Sequence, residues 1–582
     1  MPRFINKTGA SAIYRFLKSK NIKHVFGYTG GAILPLTDKF HAYNNSKIKY
    51  IKNINELCVG HSAEGYAKVS GKPGIIITTS GPGVTNLITP LQNALSDGTP
   101  LIAMAGQVAT NMIGTDAFQE APSIELTHFC TKWNYRINDV NEIPDVMEYA
   151  YGVSMSGRKG PVFIDLPKNI LTNIITSNIK RHYSPDIKYA FQNKINKNSC
   201  IKKFIELLYI SEKPILYIGQ GALGAVDEIR QFIKQTNIPF TTTIHGMGIG
   251  DETLYNSLHM LGMHGSVYAN KAIQKADLII AVGARFDDRT TGNLNYYAPE
   301  AKQASKEKRG GIVHFDISSE QINKTVKTDI AFLGDCKNYF KEINQKINKE
   351  NIYITDWNKE VLNLKKNNPF TYTPLPNKLK VQEVVNKIYK YSRNKKPYIT
   401  TGVGNHQMYT AQFYRWEVPG RMITSGSLGT MGFGLPSAIG VQLYKPNDLV
   451  ILIDGDGSFN MTSNDMATVA EHNLPIKMFI MNDSRQQMVH IWQKLFFDKK
   501  YISTDNFNPD YNKLADAYGI KNIILQKNNI DDIEKILNLN EPVLINCIVE
   551  PDMCTPLVAP GKALDDMILS ETDNRMVGDA PN

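Results

Sequence analysis

Short apolar runs alternate with helix-length amphipathic segments along almost the whole chain. Residues 75–77, 278–282 and 449–453 are unbroken runs of Ile, Leu, Val and Ala, too short for most helices. Such runs read as strands buried on both faces, and strands alternating with helices read as parallel α/β layers. The expected fold class is α/β, with three doubly wound parallel-sheet domains. Polar, aperiodic stretches at 184–197 and 341–368 divide the chain, the second leading through Pro369 and Pro374. The expected domains are 1–185, 198–348 and 370–550, with a tail at 551–582.

The first helical pattern starts near Thr8, and no basic-apolar-cleavage pattern precedes it. Neither a secretory signal nor a long transit peptide is expected. No apolar run approaches the ~18–20 residues of a membrane helix, so no membrane partner is expected. Composition changes this picture little. Of 582 residues, 42% are hydrophobic and 21% charged, which excludes a disulfide miniprotein and a wholly disordered chain. Lys and Arg (65) exceed Asp and Glu (55), for a net charge of +10. The lysines are scattered among Asn and Ile without a basic stripe, so no nucleic-acid partner is expected. The six cysteines form no C-x-x-C pair and no Cys/His cluster, and read as reduced thiols.

Candidate chemistry starts with two Gly-rich turns that follow apolar strands, Ser80-Gly81-Pro82-Gly83 and Gly455-Asp456-Gly457-Ser458. Ligands in open α/β sheets sit beyond the carboxyl ends of strands. The next apolar run, 476–481, ends in Asn482-Asp483, with a helical segment at 464–472 between. That crossover joins parallel strands, so Asp456 and Asp483 should emerge at one sheet edge. Two side-chain oxygens there suit Mg²⁺, with phosphate oxygens and water completing its shell. Glycine backbone N–H groups can approach a diphosphate closely.

Gly-Asp-Gly followed by an Asn-Asn-type pair resembles the Mg²⁺–thiamin diphosphate signature. Over nearly the whole chain the sequence resembles the acetohydroxyacid synthase (acetolactate synthase) large-subunit family. The stretches that carry the likeness are 28–35, 60–67, 80–90, 114–120, 262–265, 283–292 and 429–436, with Met488-Val489 and Trp492. The resemblance implies a catalytic role for Glu56, whose carboxyl shares a proton with the cofactor's aminopyrimidine ring, and for Gln119 and Lys168. It places Val403, Gly404, Asn405, His406, Gly429, Gly457, Ser458 and Met488 around thiamin diphosphate, with Met431 propping its bent shape. It makes Asp456, Asp483 and Arg485 the metal-holding positions. Phe118, Arg289, Val489 and Trp492 fall on the substrate side; Arg289 suits a keto-acid carboxylate and Trp492 an ethyl group.

The middle block reads as a nucleotide-binding domain: Gly219 and Gly221 end one strand, Asp316 another, and Gly334-Asp335 is a similar turn. By resemblance it binds FAD, with Met263, His264, Gly265 and Arg285 adding to Gly219, Gly221, Asp316 and Asp335. The sequence departs from the family pattern at Asn405 (usually Gln), at Asn55 and Leu57 beside Glu56, at Gln487 (usually Gly) and at Asp483 (usually Asn).

The implied activity is a carboligase. It decarboxylates pyruvate and ligates the hydroxyethyl carbanion to pyruvate or 2-oxobutanoate, the first common step toward valine, leucine and isoleucine. The alternatives are another thiamin diphosphate-dependent 2-keto acid decarboxylase or carboligase, or a non-catalytic cofactor-binding relative. The resemblance further implies a homodimer or higher homo-oligomer, with its sites between chains, and a small regulatory subunit. The expected compartment is a plastid (chloroplast) stroma if the gene is organellar, otherwise a bacterial cytoplasm.

Overall fold

The structure is a computed structural model and describes residues 4–41, 48–177, 179 and 197–570. Its core is three six-stranded sheets, each parallel throughout. The first holds β1 (His24–Tyr28), β2 (Lys49–Lys52), β3 (Gly74–Thr78), β4 (Leu101–Gln107), β5 (Trp133–Arg136) and β6 (Pro161–Pro167), in the order 2-1-3-4-6-5. The second holds β7 (Pro214–Ile218), β8 (Phe240–Thr242), β9 (Ser257–Met260), β10 (Leu278–Val282), β11 (Gly311–Asp316) and β12 (Ile330–Leu333). Its order is 12-11-10-7-8-9. The third holds β13 (Tyr398–Thr401), β14 (Met422–Ile423), β15 (Val450–Gly455), β16 (Lys477–Asn482), β17 (Lys521–Leu525) and β18 (Val543–Ile548), in the order 14-13-15-16-18-17. The expected α/β class with three parallel-sheet domains is borne out.

The first and third sheets therefore share one winding, counted from their own first strands. In each, the order reverses between the first and third strands, and the loops after those strands open a crevice there. The middle sheet reverses between its first and fourth strands, β7 and β10, which is the dinucleotide-binding winding. The central strands β3, β4, β6, β7, β10 and β11 are buried at every residue, because helices cover both faces.

The first helix, Gly9–Ser19, starts where Thr8 caps it: the Thr8 hydroxyl accepts from the Ser11 amide. Within the chain, helix Glu56–Ser70 lies directly on helix Gly434–Tyr444 and joins the first domain to the third. Small residues make this approach possible, with Gly65 facing the Ser437 carbonyl and Gly440 facing the Ser62 carbonyl. After β18 the chain forms a small antiparallel ribbon of Leu557–Val558 and Met567–Ile568. The six cysteines are free thiols. Among the described residues no helix is long and apolar enough to cross a membrane.

Candidate active site

β15 and β16 are neighbours in parallel register, with Gly455 opposite Met481. Asp456 directly follows β15 and Asp483 directly follows β16, so both carboxylates leave the same edge of the sheet. They line one cavity together with Val403, Gly404, Asn405 and His406 from the loop after β13. Met431, Gly457, Ser458, Arg485, Met488 and Val489 complete most of its wall. Gly402 admits the close turn after β13: a Cβ there would sit 1.9 Å from Asp454 Oδ1. Gly429 lies on the larger cavity described below.

Helices Asn405–Phe413 and Gln487–Phe496 both begin at this cavity, and neither has a side-chain cap. Their first amide groups and the positive ends of their dipoles suit a diphosphate. The donor set also fits a small divalent cation. Burial and the negative charge of Asp456 push the Asp483 carboxyl up to about 7, against the Arg485 amide and guanidinium. Burial raises Asp456 as well, although Asn508 (2.6 Å) and Asn506 (3.2 Å) donate to its Oδ2. A buried and a half-buried carboxylate that oppose each other's ionisation are relieved by a cation between them. The Arg485 guanidinium is a cation with no acceptor atom and pairs with Asp505 at 2.9 Å, so only the residue's carbonyl oxygen could serve a metal. Among the described residues no group of three or more His, Cys, Asp or Glu could hold a metal, so phosphate and water oxygens would complete the shell.

Two of the unusual residues meet at one acceptor. Asn405 Nδ2 (3.2 Å) and Gln487 Nε2 (3.3 Å) both donate to the Asp552 carbonyl. Gln487 thus supplies a second amide to the chain segment that the shortened Asn405 still reaches. The Asp552 carboxylate is held in turn by Lys380 (3.1 Å) and Gln382 (3.0 Å). Asp552, Glu550 and Tyr409 line the cavity and carry no motif by which sequence could single them out.

A much larger cavity, about 1440 Å³, opens at the switch point of the middle sheet. Gly221, Arg285, Asp316 and Asp335 line it at the strand ends, and Met263 and His264 line it from the loop after β9. Gly219 and Gly265 are not on its wall. Gly219 sits below, where a Cβ would fall 2.2 Å from the Gly283 carbonyl. His264 is buried, and burial lowers its imidazole to about 4 against the pull of the Pro556 and Cys554 backbone. Arg285 donates to the Ser427 hydroxyl at 2.6 Å, and Asp335 caps helix Cys336–Lys346. The volume, the Gly-lined strand ends and the acid at the end of β11 fit a dinucleotide such as FAD.

Arg289 and Trp492 line this large cavity, as do Met488, Val489, Val403 and Gly404. The last four line the smaller cavity too, so the two share a wall. Glu56, Phe118, Gln119 and Lys168 line neither. Glu56 begins helix Glu56–Ser70 and is buried; its Oε2 accepts from Asn86 Nδ2 at 2.9 Å. Asn86 follows the short helix Pro82–Thr85, so the turn after β3 reaches Glu56. Gln119 adopts φ 61°, with its backbone against Gly81, while Phe118 stands 89% exposed and Lys168 is exposed.

Comparison with known families places three domains of one kind along the chain. Residues 7–126 match the thiamine pyrophosphate enzyme N-terminal TPP binding domain, 201–343 its central domain and 402–547 its C-terminal TPP binding domain. The chain is 43% identical to "Acetolactate synthase, mitochondrial" of Schizosaccharomyces pombe, over 98% of this chain and 87% of that protein. It is 42% identical to "Acetolactate synthase catalytic subunit, mitochondrial" of Saccharomyces cerevisiae, over 97% and 84%. It is 37% identical to "Acetolactate synthase large subunit" of Lactococcus lactis, over 96% of each. The chain belongs to the thiamine pyrophosphate enzymes, in the family of acetolactate synthase catalytic (large) subunits.

Proposed function

We propose that this protein is an acetolactate synthase catalytic subunit that decarboxylates pyruvate and joins the two-carbon fragment to pyruvate or 2-oxobutanoate. The observation that carries this reading is the shared wall. Val403, Gly404, Met488 and Val489 separate a diphosphate-type pocket from the cavity that holds Arg289 and Trp492. A reacting centre at that wall has cofactor-holding groups on one side and keto-acid groups on the other.

Bound thiamin diphosphate supplies a carbon nucleophile for 2-keto acids. Asp456, Asp483 and the Arg485 carbonyl would hold Mg²⁺ against its diphosphate, and the helix starts at Asn405 and Gln487 would take the remaining oxygens. Glu56 holds the proton that primes the cofactor, and Asn86 orients its carboxyl. Arg289, 60% exposed at its side chain, has only weak partners in Met263 Sδ (3.3 Å) and Asp288 (3.8 Å) and can turn its fork to a keto-acid carboxylate. Gln119, Lys168 and Phe118 act from the first domain. The large cavity takes FAD.

That Glu56, Phe118, Gln119 and Lys168 line neither cavity of their own chain supports a homodimer in which one chain lends them to the other's cofactor. A small regulatory subunit and a plastid or bacterial location belong to the same proposal. The mitochondrial names of the two yeast relatives count against the plastid. Subunit capture and organelle fractionation test these points.

The deciding assay incubates the purified chain with pyruvate, Mg²⁺, thiamin diphosphate and FAD, with and without Glu56→Gln. Acetolactate that depends on Glu56 is the expected product. Acetaldehyde alone would move the protein to the decarboxylases.

Two further results are expected. Asp483→Asn removes one negative charge beside the diphosphate. The thiamin diphosphate concentration for half activity should fall at least about fivefold, since a repulsion of roughly 1 kcal/mol is the bulk-water figure and Asp483 is partly withdrawn from water. An unchanged value would reject the charge argument. Trp492→Leu should lower the ratio of 2-oxobutanoate to pyruvate products by about tenfold, the worth of one methylene in an apolar pocket. Competition between the two keto acids measures it.

A further inference from the structure

The chain that leads into Glu56 is held from a second direction, by a carboxylate of the third domain. Asp465 ends the short turn Ser463–Asp465, on the segment that leads away from Asp456, and is fully buried. Its Oδ2 accepts from Asn53 Nδ2 at 2.9 Å, and its Oδ1 accepts from the Ile54 backbone amide at 3.2 Å. The Thr468 hydroxyl donates to Oδ1 at 2.6 Å and fixes the carboxylate from its own side. Asn53 Nδ2 also donates to the Ser62 hydroxyl (2.8 Å), which donates to the Pro436 carbonyl (2.9 Å). Residues 53–55 run straight into Glu56, and Asn55 caps its helix by accepting from the Cys58 amide.

Burying a carboxylate is costly unless hydrogen bonds replace its water. Here, besides Thr468, the donors are the two residues that precede the Glu56 helix cap and the Cys58 thiol in the first turn of that helix. Burial pushes the Asp465 carboxyl up, and the Thr468, Asn53, Ile54 and Cys58 bonds pull against it. A contact of this cost, at this point in the chain, fixes where the helix begins. Placement errors of about 1 Å at a proton-transferring group can cost a hundredfold in rate.

We propose that Asp465 is a positioning residue for the proton transfer made by Glu56, acting through Asn53 and Ile54. This rests on the assignment of Glu56 above. In Asp465→Asn, shape is kept, but the NH₂ group either faces the Ile54 N–H, donor against donor, or makes Asn53 turn its amide over and give up its donation to Ser62.

The test uses the full chain loaded with thiamin diphosphate and Mg²⁺. It reads deuterium exchange at C2 of the bound cofactor, cofactor affinity by tryptophan fluorescence, and the thermal unfolding midpoint. Asp465→Asn and Asn53→Ala should each slow C2 exchange about tenfold or more, within the range of proton-transfer contributions, while affinity stays within about twofold. Should Asp465→Asn not fold, Asn53→Ala decides alone. Unchanged exchange in the folded variants would overturn the proposal. So would slowed exchange matched by an equal loss of affinity, which marks a merely structural contact. Glu56→Gln run alongside separates the two claims. If it too leaves exchange unchanged, the assignment of Glu56 is what fails.

Discussion

A mixed dimer of one Glu56→Gln chain and one Asp456→Asn chain, isolated through two different affinity tags, should run at about half the wild-type rate, because a two-fold assembly leaves one of its two sites intact. Each variant alone should lose about a hundredfold or more, the usual contribution of a placed proton-transfer group or metal-held charge. Glu56 is buried on the first domain beside Asn86 and lines neither cavity, while Asp456 lines the diphosphate-type pocket of the third. Helix Glu56–Ser70 is pinned by backbone contact to helix Gly434–Tyr444 of its own chain, so a hinge cannot swing Glu56 into its own pocket. If the two groups serve different cofactors, the defects segregate in the mixed dimer: one site carries both and the other carries neither. A mixed dimer as inactive as its parents would put both groups in one chain's site and remove the argument for a shared centre.

How far the sequence reveals this arrangement differs from residue to residue. The Asp456/Asp483 pair is legible because a strand–helix–strand crossover forces neighbouring parallel strands, and the structure has Gly455 opposite Met481. The buried strands are legible because a sheet covered on both faces must be apolar throughout. Strand order is not legible, since apolar runs carry no record of their neighbours. The common winding of the first and third sheets therefore emerges only in three dimensions. Glu56 is found by its motif alone. Its two supports are invisible in sequence because each is a single polar residue far away: Asn86 is 30 positions on, and Asp465 is 412 positions from Asn53. The tail is another case. Asp552 reads as an ordinary polar residue until Asn405 and Gln487 are seen to share its carbonyl. Motifs report residues that touch a ligand, whereas residues that touch those residues need only one hydrogen bond and many side chains can supply it.

Gly440→Ala should do the greatest damage to folding of any single methyl group added to this chain's domain contacts. A Cβ on Gly440 would lie 1.9 Å from the Ser62 carbonyl oxygen and 2.8 Å from the Tyr66 nitrogen. Both are backbone atoms of a helix that packs on β1 and β3, so neither can rotate aside. The reciprocal contact is as tight: a Cβ on Gly65 would lie 2.1 Å from the Ser437 carbonyl. The helices must therefore separate, at a cost of about 3 kcal/mol for overpacking, a large share of the roughly 5–15 kcal/mol that holds a domain folded. Function should fall further than stability, because the Glu56 helix moves as it is pushed away and the Asp465 contact opens with it. Gly152→Ala is the control. Gly152 lies inside helix Ile143–Met155 with nothing within 4 Å of its would-be Cβ, and its φ is negative. There the same methyl group should stabilise the protein by roughly 0.5–1 kcal/mol through helix propensity. Thermal unfolding of the two variants should therefore shift in opposite directions, and activity should survive only in Gly152→Ala. Equal midpoints would mean that the helix pair can open at little cost, and Glu56 would then not be held rigidly against its own third domain.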